Sequence, residues 1–290
     1  MIGEVDLNYK ELGKLSKEEL IETIQSMGDI MKKQEDFLLN ISHDLRNPIN
    51  VILSILQCLK YLDVKSSEER YKKEEEYRGI IKRNVLKMVK LIDNLIDTTK
   101  LQGNYYKINK KNMDIVAFVE NTVDSIEQYA QQKHIQLVFD TNVEECIIAF
   151  DPESMDRIVL NLLSNAIKYS PVNGTIYVYV DVDVHSVKIS VKDEGPGILK
   201  SEQKAIFNRF IQSSNNKKDE HSGSGIGLDL VNYLTKLHEG RVELKSDYGH
   251  GSEFIVTIPN VKVKEECKNK QMIANNKIQQ LEIEFSDIYL

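Results

Sequence analysis

Between about Leu15 and Tyr61 the chain is almost free of helix breakers, and its apolar positions Phe37, Ile41, Leu45, Ile52, Ile55 and Leu59 recur at helical intervals. That spacing predicts one long helix. A polar stretch, DVKSSEERYKKEEE, reads as a reversal of direction. Beyond it Ile81, Val85, Met88, Ile92 and Leu95 alternate in steps of four and three, so a second helix carries an apolar stripe down one face. Two such helices bury little by themselves. The simplest closed arrangement is an antiparallel hairpin that pairs with a second copy into a four-helix bundle; the alternative is a hairpin lying against its own second domain.

The pattern changes after LQGNYY, at about residues 101 to 106. Ile115 to Tyr129 is amphipathic, IQLVFD and CIIAF read as short strands, and a helix follows from about Pro152 to Tyr169. The turn from Pro171 to Gly174 leads into the strands TIYVYVDVDV and VHSVKISVKD. A helix near Gly225 to His238 and the strands RVELKS and GSEFIVTI, around the turn from Tyr248 to Gly251, complete the set. The expected fold class is multidomain: an all-α antiparallel hairpin forming a dimeric four-helix bundle, then an α/β two-layer sandwich. The expected boundaries are a helical lead-in over 1–36, the hairpin domain over 37–104, the α/β domain over 105–260 and a tail over 261–290. In that tail Leu281, Ile283 and Phe285 alternate with Glu282, Glu284 and Ser286, which predicts an appended strand.

Composition narrows the class of function. Of 290 residues 41% are hydrophobic and 29% charged, the balance of a globular protein. Forty-five acidic against 38 basic residues leave a net charge of -7, with no basic field to hold a polyanion, so nucleic acid is not expected as a partner. Cys58, Cys146 and Cys267 are far apart and form no C-x-x-C pair, which argues against a disulfide scaffold and structural zinc. Without an apolar run of about 18 residues or a signal-peptide pattern, the expectation is a cytoplasmic chain with no membrane segment, unless it is cut from a longer membrane protein.

Candidate chemistry begins at FLLNISHDLRNPIN, where His43 precedes Asp44 and Pro48 follows five residues later. An interior proline removes one helical hydrogen bond, so a bend is expected just after His43. Neutral imidazole is a competent nucleophile for phosphoryl transfer when one ring nitrogen holds the proton and the other presents its lone pair. Asp44 could hold that tautomer, although adjacent helical residues point about 100 degrees apart and its side chain would have to reach round. Taken alone, a histidine beside an aspartate on a helix is more often a plain surface pair.

The helix NLLSNAIKYS sets Asn161 and Asn165 four apart, with Lys168 three further on, all on one face. Two amide oxygens so placed can share a Mg²⁺ ion with phosphate, and Lys168 can meet phosphate charge. Singly, each asparagine is equally a surface or back-bonding residue. In ISVKDEGPGI, Asp193 ends a strand as an acceptor suited to an exocyclic amine, and Gly195 and Gly197 let the backbone approach a flat ring. SGSGIGLDLV then offers Gly223, Gly225 and Gly227 before a helix whose N-terminus suits a polyphosphate. It is neither a P-loop nor a Rossmann fingerprint, since it lacks Gly-Lys-Ser/Thr and follows the polar run IQSSNNKKDEHSGS rather than a first strand. That run reads as a mobile lid, with Phe207 and Phe210 as its anchors.

Together these segments resemble the sensor histidine kinase family over nearly all of about 30 to 260: FLLNISHDLRNPIN the phosphoacceptor box, NLLSNAIKYS the asparagine box, KDEGPGI and SGSGIGLDLV the two glycine boxes, IFNRF the phenylalanine box and GHGSEF the closing turn. The resemblance implies a dimerisation and phosphotransfer domain followed by an ATP-binding domain of the gyrase, Hsp90 and MutL type. It implies ATP and Mg²⁺ as cofactors, His43 as the phosphorylated residue, Asp44 as its acid/base neighbour, Asn47 as a water-orienting residue in dephosphorylation of the regulator, and Arg209 near the γ-phosphate. Asn161 and Asn165 would contact Mg²⁺ and phosphate, Lys168 and Tyr169 would flank the nucleotide, Asp193 would anchor adenine, and Gly195, Gly197, Gly225, Gly227 and Leu228 would line the site. Asp229 departs from the small residue usual there and is expected to point outward. Gyrase-like ATPases carry a water-activating Glu where this chain has Asn161, so transfer to imidazole rather than water is implied. The implied partners are a second copy, a response-regulator receiver domain and an upstream sensory protein, since about 36 residues precede the phosphoacceptor box. A nucleotide-binding scaffold without kinase activity and a gyrase-type ATPase are the competing readings.

Overall fold

The computed structural model describes residues 16–61, 67–102, 106–208, 226–264 and 280–286. The chain divides into two compact units at the Asn47–Pro48 bond. Helix α1, Lys17–Lys60, carries the first stripe: Ile41 is buried, and Leu45, Ile52, Ile55 and Leu59 are half-buried. A reciprocal capping box starts it, with the Glu19 N–H donating to Ser16 Oγ at 3.2 Å and the Ser16 N–H to Glu19 Oε2 at 2.7 Å. The side chain of Phe37 lies outside the described residues. The helix runs unbroken through Pro48, which has no N–H to offer the Asp44 carbonyl.

Helix α2, Ser67–Gln102, corrects the expected reversal, because most of the polar stretch already belongs to it. Glu68 and Glu69 favour the positive end of its dipole, and Arg70 pairs with Glu74 one turn on at 3.0 Å, so charged residues form helix here without burying anything. Along α2 Ile81, Met88 and Leu95 are half-buried, while Val85 and Ile92 are exposed.

The α/β part begins with β1, Lys111–Asp114, which sequence periodicity does not reveal; it pairs antiparallel with β3, Ile147–Phe150. The expected single helix over Ile115 to Tyr129 is two, α3 (Ile115–Ser125) and α4 (Glu127–Gln132), separated at Ile126. Strands β2 (Gln136–Thr141), β4 (Thr175–Val182), β5 (Ser186–Asp193), β6 (Arg241–Ser246) and β7 (Ser252–Pro259) form one sheet in the order β2-β4-β5-β7-β6. β2 and β4 are parallel, in the register Val138 to Tyr177, and the remaining pairs are antiparallel.

Between β3 and β4 runs α5, Pro152–Tyr169, started by the Asp151 side chain accepting the Ser154 N–H at 2.8 Å and by Pro152 in the first turn. It packs on β5 and on α6, Gly227–Leu237. Its buried face of Ile158, Leu162, Leu163 and Ile167 and the inward rows Ile176, Val178, Val180 and Val187, Ile189, Val191 form one core. Each such side chain contributes about 1.5 to 3 kcal/mol on burial, whereas Tyr177 and Tyr179, which alternate with them on β4, are exposed on the opposite face.

The expected strand in the tail is overturned: residues 280–284 are helical. Leu281 and Phe285, one turn apart, are both buried, and the Phe285 ring stacks on Tyr129 at 4.6 Å. In a strand Leu281, Ile283 and Phe285 would share one face, whereas here Leu281 and Phe285 are buried and Ile283 between them is only half-buried, as the helical period requires. Among the described residues no helix is long and apolar enough to cross a membrane.

Candidate functional site

On α5 the residues Asn161, Asn165, Lys168 and Tyr169 are half-buried, whereas Leu162, Leu163, Ala166 and Ile167 between them are buried. The polar residues therefore form a single stripe at the rim of the core, as their spacing of four, three and one requires. Asn161 Nδ2 donates back to the Arg157 carbonyl at 2.9 Å, which leaves its amide oxygen directed outward from the helix. A Cβ placed on Gly227 would run into that oxygen, so the start of α6 sits as close to the asparagine as a glycine allows. Ile226, the N-cap of α6, makes no side-chain capping hydrogen bond, and the N-terminus of a helix favours an anion. Lys168 Nζ lies 5.3 Å from the centre of the Tyr169 ring. Leu228 packs half-buried against the core, and Asp229 is half-buried rather than fully exposed.

Asp193 closes the site from the end of β5. It is buried, and its Oδ1 accepts the Gly195 N–H at 2.8 Å. Burial raises its carboxyl above the ordinary range, and the N–H groups of Gly195 and Ser252 partly oppose that rise. A buried carboxyl that keeps lone pairs beyond those two N–H groups is an acceptor suited to an amine. Gly197, at φ +68°, brings its backbone against Asp247, where a side chain would collide. The loop is pinned there by the Gly249 N–H on the Pro196 carbonyl at 2.7 Å and by Gln203, which donates to the carbonyls of Ile198 and Ser246 at 3.0 and 2.8 Å. Phe207 packs edge to face on Phe254 with centroids 6.3 Å apart, which seats it on the core. Arg209, Phe210, Gly223, Gly225 and the lid lie outside the described residues.

Four side chains of weight were not legible in the sequence. Asp97, near the end of α2, is buried and accepts Arg157 Nη1 at 2.5 Å. Arg157 also donates to the Tyr106 hydroxyl at 2.8 Å. Burial, above all, pushes the Tyr106 phenol up to about 12. Asp97 and Arg157 are 60 positions apart, and no motif links them. Buried His238 accepts the Asp151 N–H on Nε2 at 3.0 Å while Nδ1 faces the Leu234 carbonyl at 2.8 Å, so the ring is neutral with its proton on Nδ1. It thereby holds the N-cap residue of α5.

In the other unit His43 is exposed. Asp44 does reach round: its Oδ1 is 3.6 Å from His43 Nδ1, and Asn47 Nδ2 is 3.4 Å from the same nitrogen. Both neighbours thus address Nδ1 and leave Nε2 facing outward. They favour opposite tautomers, since a carboxylate asks for a proton on Nδ1 and an amide N–H asks for a lone pair there. Turning the Asn47 amide over would present its oxygen and reconcile the two.

The groups present fit a nucleotide with Mg²⁺: two carboxamides and a lysine on one stripe, a helix start in close approach to it at Gly227, and a buried carboxylate beyond. Residues 33–104 match the family described as His Kinase A (phospho-acceptor) domain, and residues 150–262 that of the histidine kinase-, DNA gyrase B- and HSP90-like ATPases. The sensor histidine kinase TmoS of Ectopseudomonas mendocina is 30% identical over 248 residues, which take in 84% of this chain. The chain spans only 25% of the length of that relative. Histidine kinase ThkA, solved in complex with the response regulator protein TrrA, aligns with a TM-score of 0.58 at 19% identity over 84% of this chain and 67% of that one. Full-length ShkA in complex with AMPPNP aligns with a TM-score of 0.57 at 20% identity, over 85% and 53%. Likeness at that identity carries the fold alone. The two domain matches, in this order and with relatives named as sensor histidine kinases, make the chain a member of the sensor histidine kinase family.

Proposed function

We propose that the chain is an ATP-dependent protein histidine kinase that phosphorylates its own His43 and passes the phosphoryl group to an aspartate of a response-regulator receiver domain. The observation that carries this reading is the close seat of Gly227 against the Asn161 amide oxygen, with Asn165 and Lys168 continuing the same stripe. Asn161 and Asn165 would hold Mg²⁺, Lys168 would meet phosphate, and Tyr169, Gly195, Gly197, Gly225, Gly227 and Leu228 would line the nucleotide, with Asp193 accepting from the adenine amine. Bound Mg²⁺ supplies positive charge across the phosphate oxygens. No carboxylate stands at position 161 to activate water, so the acceptor is imidazole.

His43 Nε2 attacks the terminal phosphorus in line; the N–P bond forms as the bond to the bridging oxygen breaks, and ADP leaves. Asp44, beside Nδ1, stabilises the charge that grows on the ring and accepts its proton. Arg209 would approach the transferring group. Asn47 would orient water in the reverse duty, dephosphorylation of the regulator. Exposed Ile49, Leu53 and Leu56 on α1 and Val85, Ile92 and Ile96 on α2 suit burial against a second copy, which supports a homodimer with a four-helix core. A cytoplasmic location and an upstream sensory partner complete the proposal.

Incubation with γ-labelled ATP and Mg²⁺, followed by acid and base washes, tests it. The expected label is acid-labile, base-stable and lost in His43→Gln. Tight ATP binding with no label, or label retained in His43→Gln, refutes it.

A further inference from the structure

Segment 280–286 lies outside both matched families and is held by contacts of different kinds. Phe285 is fully buried against Tyr129 of α4, itself 1% exposed, and Leu281 joins the same core one turn earlier. On its other side the segment meets α2. Lys82 Nζ donates to Glu282 Oε1 at 2.6 Å, and Lys90 Nζ, about two turns further along, donates to the Glu284 carbonyl at 2.6 Å and stands 3.4 Å from its carboxylate. The apolar residues of one short helical turn thus face the ATP-binding layer, while its two acids face a pair of lysines on α2.

We propose that residues 280–286 form a clasp, docked on the surface made by Tyr129, Lys82 and Lys90, that ties α2 to the ATP-binding layer and must open for the full rate of self-phosphorylation. The contacts stand by themselves; their consequence rests on the histidine kinase reading. Transfer to a histidine requires reacting atoms roughly 3 to 3.5 Å apart and in line, while nucleotide exchange and hand-over to a regulator require other arrangements of the same layer. A tie between α2 and α4 favours one arrangement and lowers the population of the rest. The tie is also releasable. Among the described residues it includes Phe285, Leu281, two ion pairs and the Lys90 bond to the Glu284 carbonyl, and because Lys82 is largely exposed its opening belongs to the low end of local stabilities.

The test uses the full chain. Phe285→Ala should raise the initial rate of self-labelling at saturating ATP by about fivefold or more, the lower range of a two-state coupling. Lys82→Glu, which leaves the core intact, should raise it about two- to fivefold, and Lys82→Glu with Glu282→Lys should return it toward the parent value. Affinity for a fluorescent ATP analogue should stay within about twofold in all of them, because none of these residues belongs to the nucleotide stripe. In a chain whose three cysteines are replaced by serine, Lys82→Cys and Glu282→Cys should cross-link with a short bismaleimide, and the linked form should label at least about fivefold more slowly. Rates unchanged or lowered in both single variants, or a cysteine pair that does not link, overturn the clasp. Absence of label in every variant refutes the kinase reading instead, and cross-linking alone then decides the docking.

Discussion

Removal of the Asp97 carboxylate tests the coupling of α2 to α5. Asp97 is 5% exposed and Arg157 31% by side chain, and they pair at 2.5 Å across 60 positions of sequence. Breaking a buried ion pair by deleting one partner costs about 3 to 5 kcal/mol, chiefly because the remaining charge is stranded. Arg157 keeps the Tyr106 hydroxyl at 2.8 Å and partial access to water, so about 2 kcal/mol is the discounted expectation for Asp97→Ala. That corresponds to a drop of about 4 to 8 °C in the melting temperature of a domain of this size, followed by circular dichroism. Replacing both partners, Asp97→Leu with Arg157→Met, removes the stranded charge and should recover most of the loss. A shift below about 1 °C in Asp97→Ala, or a double variant as unstable as the sum of the singles, would refute the argument.

Asp193→Asn should weaken ATP binding about 10- to 100-fold by fluorescence titration while leaving the melting temperature of the free protein the same or higher, since the buried carboxyl carries a desolvation cost. Gly227→Ala forces a methyl onto the Asn161 amide oxygen and should cost about 1 to 3 kcal/mol of nucleotide affinity with the fold retained; parent-like affinity would show that the stripe and the helix start do not act together. Stability should also fall on acidification through His238. Burial lowers its pKa below the ordinary value of about 6.5, so between that value and the folded one the unfolded chain binds the extra proton, and stability present at pH 7 is lost as pH drops. Melting curves from pH 8 to pH 5 should show this slope, and His238→Gln should flatten it.

The half-buried stripe is held in place through a chain of backbone contacts beneath it. His238 secures the N–H of Asp151, Asp151 starts α5, and α5 presents Asn161 and Asn165. A variant in this chain of supports reaches the site without touching it.

What the amino-acid order determined by itself is local. The bounds of α5 follow from a cap at Asp151, a proline in the first turn and apolar residues at period 3.6, all within one window. The strand carrying Ile176, Val178 and Val180 follows from strict alternation, and the histidine and glycine boxes follow from residue type and order. Tertiary structure decided what depends on distant partners. It turned the alternating Leu281, Ile283 and Phe285 into a helical turn, with Phe285 stacked on Tyr129 and Glu282 and Glu284 held by two lysines of α2. It brought Asp97 to Arg157 and buried His238 under Asp151. Periodicity records which face of an element is apolar; what that face meets depends on chain closure over tens to hundreds of residues, and no local pattern encodes it.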